Sequence, residues 1–125
     1  MRGDIVHAMS NNIDRSRVVL VFITRNYINK CAGLGERGQN DNCKFEFDYA
    51  VRRKGVEGMV PVVMERCVRD TKEWRGAVGG WLGGQRYFDA ADDEGFERGV
   101  ESLISEIRAR VQSRRVRRLS AIMAR

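Results

Sequence analysis

The chain has 125 residues, of which 32% are charged and 42% hydrophobic, with a formal net charge of +6 and one histidine. That is one small domain, large enough to bury a real core. No apolar stretch approaches the roughly 20 residues that span a bilayer, and Met1-Arg2-Gly3-Asp4 has no apolar region behind a basic start, so no secretory leader is expected. Cys31, Cys43 and Cys67 are odd in number and form no C-x-x-C, which argues against a disulfide framework or a zinc site and for a cytoplasmic, reducing setting. With His7 alone, a metal site built on several imidazoles is excluded, and no metal is expected.

Residues 4–15 carry Ile5, Met9 and Ile13 four apart, the spacing of one helix face. Val18 to Ile23 follows as six apolar residues in a row, a pattern that suits a strand covered on both faces, as in a parallel sheet. Next comes a polar, glycine-rich stretch containing Gly33-Leu34-Gly35-Glu36-Arg37-Gly38, a literal G-x-G-x-x-G. A dinucleotide fingerprint needs its first glycine at the strand end, so that the pyrophosphate meets a helix N-terminus. Here Thr24 to Ala32 intervene, and Gln39 to Asp41 delay the next element, so the stretch reads as a flexible insertion, even though Glu65 ends the next strand where such a fold places its ribose acid.

Residues 43–51 fit two periods. Cys43, Phe45, Phe47, Tyr49 and Val51 alternate as in a half-buried strand, whereas Cys43, Phe47, Ala50 and Val51 share a helical face. Asp41 or Asn42 as a cap, Arg52-Arg53-Lys54 at the end and then Gly55 favour the helix. So does the need for a crossover to a parallel neighbour. That neighbour is Met59 to Met64, in which Pro61 must sit where its missing N–H is not needed. Residues 74–84 hold five glycines, and each glycine inside a helix costs about 1 kcal/mol against alanine. They predict a loop with short helical turns, pinned by Trp74, Trp81 and Leu82. A short third strand is expected at Arg86-Tyr87-Phe88. A helix should follow, capped by Asp92 or Asp93, with Phe96, Val100, Leu103, Ile104, Ile107 and Val111 as its apolar stripe. Alternating helices and strands point to an α/β fold with an open, mainly parallel sheet and right-handed crossovers.

The charge is unevenly placed. Seven arginines and no acid lie between Arg108 and Arg125, and removing those seven from the 23 Lys and Arg leaves 16 against 17 Asp and Glu. Residues 113–125 therefore read as a basic tail on a domain spanning 1–112. The tail lacks interleaved aromatics for base stacking. It reads first as a solvated helix end, with nucleic acid or an anionic membrane surface as the lesser alternative.

The strand Ser16-Arg17-Val18 through Thr24-Arg25-Asn26-Tyr27, followed by Asn42-Cys43-Lys44-Phe45-Glu46-Phe47, resembles the middle of a Toll/interleukin-1 receptor (TIR) domain. In that family a strand of the type S-R-x-V-x-V-x-S-x-x-Y leads to a helix beginning W-C-x-x-E-L. The W-x-G-x-x-G-x-x-L-G pattern of residues 74–83 is similar to segments of some microbial members. The resemblance covers about residues 4–110. It implies a flavodoxin-like sheet and an intracellular, innate-immunity-like signalling module whose partners are other TIR domains, through homotypic self-association. In catalytic members the Glu corresponding to Glu46 grips the ribose of NAD+ and cleaves the nicotinamide bond, which makes Glu46 the candidate catalytic residue, Cys43 its neighbour at the substrate site, and NAD+ a substrate rather than a cofactor. Asn42 stands where the family has Trp, and about ten extra residues precede it. The family's first strand, first helix and second strand have no counterpart in this sequence. The expectation is thus an incomplete domain whose strand 18–23 is left as a sheet edge, and which does not turn over NAD+ unaided.

Overall fold

The computed structural model describes residues 2–123, and the side chains of 6–113 among them. A parallel three-stranded sheet organises the molecule, in the order β1 (Val19–Ile23), β2 (Met59–Val63), β3 (Phe88–Asp89). All five residues of β2 are buried, which is what an uninterrupted apolar run at a sheet centre requires. Val19 pairs with Met59 and Ile23 with Val63, and the ladder closes with the Met64 N–H donating to the Ile23 carbonyl at 3.0 Å.

Pro61 explains where the third strand begins. The Val63 carbonyl accepts from the Ala90 N–H, so Val63, and by strand alternation Pro61, turn toward β3. Val62 pairs with Phe88, which places Tyr87 opposite the residue that has no N–H to give. The strand expected at 86–88 accordingly starts at Phe88, and Tyr87 spends its hydroxyl on the Arg69 carbonyl at 2.7 Å instead.

Alternation also sorts the core. Val21, Ile23, Met59 and Val63 join Ile13, Ile28, Phe47, Ala50, Val78 and Leu82 in one continuous cluster beneath α1 (Arg2–Arg15), α2 (Arg25–Cys31), α3 (Asn42–Lys54) and α4 (Ala77–Leu82). Val60, Val62 and Phe88 are buried on the opposite face, where α5 (Asp93–Met123) packs along β3. Asp92 caps α5, its Oδ1 accepting from the Gly95 N–H at 2.7 Å. The apolar stripe of α5 is only partly covered: Phe96 is 50% and Ile104 42% exposed. Arg110, one of the arginines of the basic end, is committed to the fold. Its guanidinium donates to the carbonyls of Glu57 and Met59 at 3.0 and 2.9 Å and to Glu106 at 2.8 Å.

The 74–84 segment folds as expected, with α4 as its one helical turn and a half, but its anchors differ. Trp74 is buried and donates its indole N–H to the Val68 carbonyl at 2.7 Å, and Leu82 is fully buried, whereas Trp81 stands 55% exposed and pins nothing. Position 79 tolerates only glycine, since a Cβ there would collide with the Trp74 carbonyl oxygen. Among the described residues no helix is long and apolar enough to cross a membrane.

Candidate functional site

In a parallel α/β sheet, ligands meet the chain beyond the carboxyl ends of the strands. Three short segments leave that edge here: Thr24 into α2, Met64 to Val68 after β2, and Ala90 to Asp92 before α5. Thr24 is the N-cap of α2, its Oγ1 accepting from the Tyr27 N–H at 3.0 Å. After α2 the glycine-rich stretch turns, with Gly33 at φ 78°, and runs to Asp41, which is buried and caps α3 by accepting the Cys43 N–H at 2.7 Å. The two helices are tied where one ends and the other begins: Cys31 Sγ donates to the Cys43 carbonyl at 3.7 Å, and the Tyr27 ring meets Phe47 edge-on at 6.5 Å. The glycines thus follow α2 rather than β1, and no helix N-terminus receives a pyrophosphate from them.

The helix reading of 43–51 is correct. Phe47 and Ala50 point into the core, while the aromatics that mimic strand alternation, Phe45 and Tyr49, lie one turn apart and stack at 5.8 Å. Tyr49 donates to the Asp14 carboxylate at 2.8 Å and Arg53 pairs with it at 2.9 Å, locking α1 onto α3. Gly55 ends the helix at φ 70°.

Glu46 projects from the second turn of α3 with its surface exposed, and it makes no hydrogen bond or ion pair among the described residues. Partial desolvation raises its pKa above the usual glutamate value. Three of its titratable neighbours, Tyr27, Cys31 and Cys43, have raised pKa values. Burial pushes the Tyr27 hydroxyl far up, and Glu46 itself adds to that shift. Burial pushes the Cys31 thiol up to about 12. Cys43 is half-buried and is raised by desolvation first and by Asp41 next, so its thiol is no nucleophile at neutral pH. Asn42 lies one turn before Glu46 on the same helix face, and its Oδ1 is buried with no hydrogen-bond partner.

A second cluster at the same sheet edge escaped the sequence reading. Glu65 Oε1 accepts the Arg25 N–H at 2.7 Å, while the Arg25 guanidinium donates to the Cys67 carbonyl and lies 3.6 Å from Glu73. Arg69 pairs with Asp92 at 3.0 Å and Asp89 at 2.8 Å, although its Nε–H is not aimed at Asp89, so that contact is a matter of proximity rather than an aligned hydrogen bond. The signal was available: a charged residue follows each apolar run directly, or after a single residue. These pairs make Glu65 a structural residue that holds the start of α2, not a ribose acid. A separate groove of about 710 Å³ runs past the far end of α3, between Asp48, Arg52, Glu57 and the exposed Trp81.

An open parallel sheet flanked by helices, with the unpaired Glu46 on the helix that crosses from β1 to β2, defines an α/β domain of the flavodoxin-like kind. The chain belongs to the TIR domain family, whose match covers residues 1–104. TIR domains are interaction and signalling modules, and they interact with other TIR domains. Neither the curated proteins nor the solved structures contain a match to it.

Proposed function

We propose that this domain acts in the cytosol as a signalling module that works by homotypic self-association with other TIR domains. One observation supports a binding role: the chain matches the TIR domain family over residues 1–104, and TIR domains interact with one another. Sedimentation of the purified chain tests the reading. Reversible, concentration-dependent association is expected below about 100 µM, and a monomer throughout that range overturns it.

A second reading has its own support. Glu46 is uncommitted, and a fixed carboxylate beside developing positive charge lowers a barrier electrostatically. As an NAD+ nucleosidase the domain would set this carboxylate against the ribose next to nicotinamide. The C1′–N bond breaks, nicotinamide leaves with the bonding pair, and a water oxygen bonds C1′ and releases its proton. Incubation with NAD+ should then release nicotinamide, and Glu46→Gln should slow the release by about 100-fold or more. Equal rates for wild type and variant would retire this reading.

A further inference from the structure

Helix α5 continues past the body of the domain. Leu103, Ile107 and Val111 lie half-buried along it, and Arg110 makes its last hydrogen bonds to the body among the described residues, to the carbonyls of Glu57 and Met59. The backbone then stays helical to Met123, with no glycine or proline after Gly99. At 3.6 residues per turn, the face that carries Leu103, Ile107 and Val111 passes on to positions 114 and 118, both arginine. The stripe that α5 lays on the domain thus turns cationic as it clears Arg110. Val116, Leu119 and Met123, spaced i, i+3 and i+7, fall on the other side of the helix, with Ile122 beside them. An apolar stripe that changes face has left the core that set the first one.

We propose that residues 114–123 form an amphipathic helix that lies on an anionic lipid bilayer. Arg114, Arg115, Arg117 and Arg118 follow Arg108 and Arg110, and no acid occurs after Glu106. A run of one sign is drawn to the headgroups of an anionic leaflet, each arginine near the surface adding to the binding. The second stripe supplies what charge alone does not, a narrow apolar strip to bury at the acyl boundary. Arg115 falls at the border of that strip, where an arginine stem can lie along apolar surface while its head stays among the headgroups. Nucleic acid would use the arginines and leave the strip idle, and residues 114–123 hold no aromatic for base stacking. The rest of the chain is close to electroneutral, so the field is local and would orient the domain with this end of α5 toward the surface. The inference goes beyond the self-association reading and uses neither Glu46 nor the sheet.

Flotation of the full chain tests this, with vesicles of phosphatidylcholine alone and with about 30% phosphatidylserine added. The wild type should float with the anionic vesicles at about 0.15 M salt, stay behind with the neutral ones, and bind more weakly at about 0.5 M. Arg114→Gln, Arg117→Gln and Arg118→Gln together, glutamine being a good helix former, should lower partitioning about 100-fold. Lysine at the same three positions should bind as wild type does, which separates lost charge from lost fold. Leu119→Gln should lower partitioning about 10-fold, a change that binding by charge alone would not register. Flotation with neither vesicle, equal flotation with both, or indifference to the three arginines overturns the proposal. So does a loss with the arginines but not with Leu119→Gln, or tighter binding to random duplex DNA than to the vesicles at the same salt, since either assigns the charge to a different polyanion.

Discussion

Asp41 and Glu46 sit five residues apart and have opposite roles. Asp41 is buried and spends its carboxylate on the Cys43 N–H, so Asp41→Ala should cost about 1 kcal/mol in chemical denaturation, the usual worth of an N-cap. Glu46 is the reverse, a carboxylate held where its charge is disfavoured. Its folded-state pKa lies above the unfolded value, so its contribution to stability is complete below pH 4.5 and is lost as pH rises through the folded pKa. Glu46→Gln should therefore match wild type below pH 4.5 and be at least as stable at pH 7, as read by paired urea titrations. A variant less stable at pH 7 would mean that the carboxylate has a partner holding it. The candidacy of Glu46 was legible from its place in a six-residue pattern. The burial that raises the pKa values of Tyr27 and Cys31 was not, because it comes from the closeness of α2 to α3, which no local spacing encodes.

Elements were legible to the extent that one period ruled them. The runs 18–23 and 59–64 and the stripe of 96–111 fixed β1, β2 and α5, and Pro61 gave notice of one bond missing from its side of β2. Residues 43–51 satisfied two periods, and the caps at Asp41 and Gly55 decided the matter. The sequence misled at Trp81, since an indole beside Leu82 looks like an anchor until a six-residue helix turns it outward. The close passage of α4 against Trp74 yields a sharp expectation at Gly79. Alanine there must push the Trp74 backbone away, and should destabilise the fold by about 1–3 kcal/mol, beyond the effect of the same change at the open position Gly80. Comparable denaturation midpoints for the two variants would contradict this packing.

Across the whole molecule, two carboxylates that join elements contribute to the acid limit. Hydrogen bonding from Tyr49, and then from Arg53, holds Asp14 below its ordinary pKa at the α1–α3 junction, while the Gly95 N–H and Arg69 do the same for Asp92 where α5 meets the sheet edge. A lowered folded-state pKa stabilises above the unfolded value, so both contributions are present above pH 3.8 and fade as pH falls below it. The melting temperature should drop on acidification through that range, and the drop should shrink in a double Asp14→Asn, Asp92→Asn variant. An unaltered slope would place the acid sensitivity elsewhere.

The grip of Arg110 on the carbonyls ahead of β2 also divides α5 mechanically. Before that point the helix lies along the sheet. After it, the helix runs on to Met123, about 20 Å at 1.5 Å per residue. A rod fastened so close to its root behaves as a handle: a push farther along it arrives as torque at the entrance of the central strand, all five of whose residues are buried.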